Sequence, residues 1–323
     1  MALTTLNAAY NLFAENSDPN ILSIATVPTR SGYSLYYGNN MYSLFDSDKL
    51  KWNMPWYTNK KNLNGIFVDY ADNMARAYYN CWNLNGSPIC GRLTLNLYEA
   101  YYNCSNLTGS PVCGPKVTSL QNAYHNCYRL TGSPVCGPKV TIMWYAYYNC
   151  TNLTGSPVCG PNVTDMDLCY YNCQNLTGQP KIGPKVIYLT NTYYNCYRLT
   201  GCPVSSPVAT RMYWTYYNCT NLVGPPVFGN KVVDIVNTYY NCNNLTGVCY
   251  LNGNITSSSS ITGCFYNCKK SITLYVKNFN TFNWIKNTTT TSSIVGQAIT
   301  WTTINTNAVK NTGLYNLTVI YQP

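Results

Sequence analysis

The sequence predicts an α/β solenoid, in which coils of short parallel strands and short helical or 3₁₀ arms are flanked by a non-repetitive N-terminal segment and a small β-rich C-terminal region. Three observations predict it. The phrase Tyr-x-Asn-Cys ends at Cys81, Cys104, Cys127, Cys150, Cys173, Cys196, Cys219 and Cys242, always 23 residues apart, with His125 varying the phrase once and a looser Phe-Tyr-Asn-Cys ending at Cys268. Inside a unit, Val117, Leu120, Tyr124, Cys127 and Leu130 are spaced 3, 4, 3 and 3, an apolar stripe that points one way. After the stripe, Gly132 breaks the run, Ser133 to Cys136 is long enough only for a brief extended strand, and Gly137-Pro138 turns the chain back. A single unit of this kind cannot bury its stripe alone, so the units are expected to stack and pair their short strands in parallel.

The period divides the chain into three parts. Residues 1–48 are non-periodic and aromatic, with Tyr33, Tyr36, Tyr37 and Tyr42, and read as a cap or attachment segment. Residues 49–270 hold about eight regular units with degenerate ends, KNLNG at 61–65 echoing WNLNG at 82–86. Residues 271–323 read as strands, because Ile272, Leu274 and Val276 alternate with Thr273 and Tyr275, and Leu317, Val319 and Tyr321 alternate again. The polar run NTTTTSS at 287–293 separates them. This tail is expected to close the solenoid or to mediate self-association.

Composition narrows the function classes. Only 9% of the 323 residues are charged, while 46% are apolar and 33 are tyrosine, so the chain has ample surface to bury and does not read as disordered. The N-terminus shows neither a basic nor an apolar signal region, the first Lys or Arg being Arg30, and no apolar run reaches the roughly 18 residues that span a bilayer. The expectation is a chain made in a cytosol, with no membrane insertion. The ten acidic residues are scattered, and no nucleophile elbow, phosphate-binding loop or dinucleotide fingerprint occurs. A non-enzyme without a cofactor is expected.

Comparing the units shows what each position tolerates. Nine residues after the anchoring cysteine stand Cys90, Cys113, Cys136 and Cys159, but then Ile182, Ser205 and Phe228, which reads as a small apolar pocket with a buried, hydrophobe-like cysteine. Four residues before the anchor, Ala100, Ala123 and Ala146 give way to Cys169 and then Thr192, Thr215 and Thr238. Zinc lacks ligands, since His125 is the one histidine and no Cys-x2-Cys pair occurs. With 17 cysteines and no export signal, stacked thiols are favoured over disulfides. The sequons at Asn106, Asn152, Asn175 and Asn244 read as capping and ladder residues rather than glycan acceptors.

The order Val117-Thr118 … Ala123-Tyr124 … Cys127 … Leu130-Thr131 resembles the BspA-type leucine-rich repeat, whose units carry V-T-x-I, A-F-x-x-C and L-T-x-I with a period of 23. Val163-Thr164-Asp165-Met166 is similar to the V-T-x-M repeats of bacterial surface proteins. The resemblance covers about two thirds of the chain. It implies a right-handed leucine-rich-repeat coil, with the first tyrosine of each pair, as in Tyr101, Tyr124 and Tyr147, in the family's buried Phe position. This sequence departs in using Tyr for Phe, in Gly-Ser-Pro before the strand, and in lacking a secretion signal.

Two columns of residues are candidate contact surfaces. The second residue of the pair gives Tyr79, Tyr102, His125, Tyr148, Tyr171, Tyr194, Tyr217 and Tyr240, rings expected to face outward at coil spacing, as a glycan or protein contact or simply packed on one another. At one corner, Lys116, Lys139, Lys185 and Lys231 form a basic row, broken by Asn162, that suits an acidic surface or plain solubility. No nucleic-acid module accompanies it. The combined reading is a rigid binding scaffold in a bacteriophage virion, a tail or head fibre contacting a host-surface glycan or protein, with its termini on other virion proteins and self-association as a further expectation. A bacterial or protist cell-surface adhesin and an intracellular protein-binding scaffold are the alternatives.

Overall fold

The structure is a computed structural model that describes residues 74–287 except 77, 83 and 85, together with 21–26, 33–37, 40–43, 300–304, 307–312 and 317–322. The degenerate unit at 61–65 and the polar run from 288 onward lie outside the described residues. The chain divides into two compact units, Met1–Thr154 and Gly155–Pro323.

In the first unit, β1 (Ile21–Thr26), β2 (Tyr33–Tyr37) and β3 (Asn40–Ser43) form an antiparallel sheet in that order. The repeats follow from Met74, and their stripe residues are fully buried, Val117, Leu120, Tyr124, Cys127 and Leu130 all at 0% exposure. The stripe is not helical, however. Between residues 74 and 246 no α or 3₁₀ helix occurs among the described residues, and a run of overlapping turns takes the place of the expected arm.

The hydrogen bonds give the reason. The N–H groups of Leu97, Glu99, Tyr101 and Asn103 donate to the carbonyls of Ser119, Gln121, Ala123 and His125 in the next coil, at 2.8 to 3.3 Å. The alternate ones, on Ala100, Tyr102 and Cys104, turn back on Leu97, Glu99 and Tyr101 within their own coil, at 3.0 to 3.2 Å. An α-helix would direct every N–H to its own chain four residues back and leave none to join the coils. The alternation requires positive φ at every second turn, 52° at Glu99 and 59° at Asn103, and asparagine tolerates that region better than most residues.

The parallel pairing also lies elsewhere than expected. Ser-Pro-Val-Cys forms no ladder, and the coils are bridged in parallel through Asn96, Ser119 and Ile142, next to the Val-Thr pair. Proline brings no N–H to such a ladder. The peptide groups of Val112 turn inward instead: the Tyr124 hydroxyl donates to Val112 O at 2.6 Å and accepts from Val112 N at 3.1 Å. Tyr101 clamps Ile89 in the same way, at 2.7 and 2.9 Å, and Tyr147 clamps Val135. Tyr101, Tyr124 and Tyr147 thus span their coils, their rings stacked on one another and each hydroxyl satisfying a backbone pair twelve residues earlier.

The second unit repeats the scheme. Bridges pass through Asp165, Tyr188, Arg211 and Asp234, and the Tyr193, Tyr216 and Tyr239 rings stack at 5.3 and 5.5 Å. Beyond the repeats, β4 (Gly247–Leu251), β5 (Ile272–Val276), β6 (Thr300–Ile304), β7 (Asn307–Thr312) and β8 (Leu317–Tyr321) form one sheet in the order β4-β5-β8-β7-β6. Pairing is parallel from β4 through β5 to β8 and antiparallel thereafter. Ile272, Leu274 and Val276 are buried, as their alternation anticipates. A helix that the sequence reading did not anticipate, α1 (Phe279–Asn287), follows β5; the Asn278 side chain accepts from Thr281 N at 3.0 Å at its start, and Phe282 and Ile285 bury its inner face.

Two repeat positions hold most of the cysteines. All 17 are thiols outside any disulfide. The anchors are buried, and within the regular repeats they donate S–H to a core tyrosine carbonyl 26 residues back, Cys104 to Tyr78 O at 2.9 Å, Cys127 to Tyr101 O at 3.0 Å and Cys219 to Tyr193 O at 3.0 Å; at the ends Cys81 turns to Tyr79 O and Cys268 reaches Tyr239 O. Thr192, Thr215 and Thr238, also buried, donate across the same 26-residue offset to Met166, Leu189 and Met212. The second cysteine is less enclosed than expected: Cys90, Cys113, Cys136 and Cys159 are half-buried, while Phe228 in the equivalent slot is buried. This corner is tight for a different reason, since a Cβ on the following glycine, Gly114, would lie 2.6 Å from Gly91 O.

Candidate functional site

The second tyrosine of each pair sits between two αL turns, which hold its ring directly over the equivalent ring of the next coil. In the first unit Tyr79, Tyr102, His125 and Tyr148 stack with centroids 4.9, 4.4 and 4.6 Å apart and planes within 11°. In the second, Tyr171, Tyr194, Tyr217, Tyr240 and Tyr266 stack at 4.6, 4.7, 4.5 and 4.4 Å. The expected column therefore exists within each unit, with half-buried rings rather than freely projecting ones. Stacking covers the faces, so the column offers solvent its ring edges and phenols.

Its electrostatics follow from this packing. Burial pushes the Tyr194 phenol up to about 12, and the flanking Tyr171 and Tyr217 phenols add to the shift. The Tyr194 phenol is thus neutral at neutral pH. Burial also lowers His125 to about 4. Its Nδ1 is buried without a hydrogen-bond partner, and the imidazole is sandwiched between Tyr102 and Tyr148, which fits a neutral ring replacing a phenol. Additional rings widen the column at two places: Tyr145, itself edge-on to Trp144, beside Tyr148, and Trp214 beside Tyr194 and Tyr217, at 5.6 and 4.9 Å. At its first rung the Arg76 guanidinium lies over Tyr79 and Tyr98 and pairs with Glu99 at 2.6 Å.

Next to the tyrosines runs an amide ladder at a position the sequence analysis did not single out. Asn103 Nδ2 donates to Asn80 Oδ1, Asn126 to Asn103 and Asn149 to Asn126 at 2.8 to 2.9 Å. Asn195, Asn218, Asn241 and Asn267 continue the pattern in the second unit at 2.7 to 2.8 Å. These are the asparagines of Tyr-x-Asn-Cys, three residues before the sequons. Asn106 and Asn175 instead accept from Arg129 and Arg198, and Asn244 donates to Thr220 O. The signal was present, since asparagine is invariant just before every anchor from Asn80 to Asn267.

The basic row is exposed at Lys116, Lys139, Lys185 and Lys231, and Lys185 Nζ donates to Asn162 Oδ1 at 2.8 Å, so one rung is joined by the residue that breaks the row. Among the described residues no cluster of three or more His, Cys, Asp or Glu is placed to hold a metal ion, and no helix is long and apolar enough to cross a membrane. Burial raises Asp167 to about 6 against its hydrogen bond from Thr190 N, with Asp165 nearby. Comparison with protein-family models, curated proteins and solved structures returned no match.

Proposed function

We propose that this chain is a non-enzymatic, rigid repeat scaffold used for adhesion. Membership in the BspA-type leucine-rich repeats, with their right-handed coil, belongs to the same proposal and rests on the V-T, A-Y, C and L-T positions. Within that class the reading is a bacteriophage virion component, a tail or head fibre that meets a host-surface glycan or protein. The single observation that carries the scaffold reading is the stacked ladder. Coils joined through Asn amides, thiols and tyrosine rings form a stiff surface on which identical groups recur at about 5 Å, a poor setting for acid-base chemistry and a good one for repeated weak contacts. The basic row adds long-range attraction to an acidic surface.

Antibody-labelled electron microscopy of purified particles tests the virion reading: label on a fibre is expected, and label confined to intact, protease-accessible cells overturns it. For the column, Tyr148→Ala and Tyr171→Ala are expected to weaken attachment to host cells. Unchanged attachment would remove these phenols from the mechanism.

A further inference from the structure

In the first unit, three successive coils open a cleft of about 480 Å³ lined by Asn80, Trp82, Asn103, Ser105, Asn126 and Tyr128. That size lies inside the roughly 300–1,000 Å³ of small-ligand sites. Its asparagines belong to the amide ladder. A primary amide has two N–H groups and two lone pairs, and the ladder engages one of each on Asn103 and Asn126, leaving one donor and one acceptor per rung. The other lining residues follow the anchoring cysteines, and their sizes alternate large, small, large. Trp82 and Tyr128 are 50% and 41% exposed, whereas Ser105 turns its hydroxyl back on Trp82 O at 3.4 Å and leaves a notch between the two aromatic residues.

We infer that this cleft is a binding subsite for a neutral, extended oligosaccharide of pyranose units. A pyranose has an apolar face of C–H groups and a rim of hydroxyl or acetamido groups. Exposed aromatic side chains suit the face, and amides with one free donor and one free acceptor suit the rim. No lysine, arginine or carboxylate lines the cleft, so it offers nothing to select an acidic polysaccharide. The rungs recur at the strand spacing of about 4.8 Å, close to the advance of one sugar along an extended β-linked chain, so each sugar lies opposite one rung. The tyrosine column cannot stack on sugars in this way, because its ring faces are covered by its own neighbours. The inference goes beyond the scaffold reading, since none of the eight column residues lines the cleft.

Calorimetric titration of the full chain with cellohexaose and with chitohexaose tests it. Saturable binding of one or both is expected, weakened about tenfold or more by Trp82→Ala or Tyr128→Ala and abolished by Ser105→Trp, which fills the notch, with melting temperature and circular dichroism unchanged. Raising sodium chloride is expected to leave the affinity within about twofold, as for an uncharged ligand. The column is read out separately, by the host-cell attachment of Tyr148→Ala and Tyr171→Ala, so failure of the column and failure of the cleft are distinguishable. Absence of binding by both neutral hexasaccharides overturns the inference. Undiminished binding in folded Trp82→Ala and Ser105→Trp, or preferential binding of hyaluronate or of a peptide in this cleft, overturns it as well.

Discussion

At the scale of the residue, the hydroxyl of the core tyrosine explains a substitution that the stripe leaves unexplained. A phenylalanine would fill the same volume, but the Val112 N–H and C=O would lose their partner. Where the chain supplies another partner the hydroxyl is dropped: the extended segment of the last coil becomes β4, paired along its length with β5, and Phe265 stacks on Tyr239 at 6.0 Å in place of a tyrosine. Tyr124→Phe is therefore expected to cost about 1–3 kcal/mol in chemical denaturation, with little change in the core. His125 is the second informative residue. Its folded pKa, near 4, lies below the ordinary histidine value, so the unfolded chain takes up the proton first as pH falls. Its contribution is absent at neutral pH, and stability is lost from about pH 6.5 down to about 4. Buried Asp167, raised to about 6, acts in the opposite sense. The difference between His125→Tyr and the parent isolates the histidine: the variant should gain relative stability across that window and show none of the histidine's dependence above it.

At the scale of the element, the turn run and the asparagine ladder are one device. Asn126 supplies a backbone at φ 60° and two inter-coil amide bonds, one given to Asn103 and one taken from Asn149. Loss of both, together with the αL penalty for a residue with a Cβ, predicts about 3 kcal/mol of destabilisation for Asn126→Ala. Asn126→Gly removes the bonds but accepts the backbone and should recover about 1 kcal/mol of that. Equal midpoints for the two variants in urea would show that backbone conformation is not why asparagine stands there. The stripe's burial was legible in the sequence, down to Val117, Leu120, Tyr124, Cys127 and Leu130. Its conformation was not, because a spacing of three and four reports only where side chains point, and a helix and a ladder of turns point them alike.

At the scale of the whole molecule, repetition predicts tolerance to the loss of a full period and intolerance to part of one. Removing Cys173 to Asn195, one period of 23 residues, joins Asn172 to Cys196 in register. The shortened chain should keep the parent's circular dichroism and unfold cooperatively, since each coil needs only equivalent neighbours. Removing about half that length should abolish folding, because every stripe residue then faces a non-equivalent position. The period, the inward side chains, the exposed lysines and the strands at β5 and β8 were determined by the sequence itself, for spacing and polarity specify which side of a coil is dry. Tertiary structure alone decided where the N–H groups go. Their partners lie 22 residues away in the next coil, and only once the coils stack do alternate amides leave their own coil, asparagines find one another, and Trp82, Ser105 and Tyr128 become the walls of one cleft.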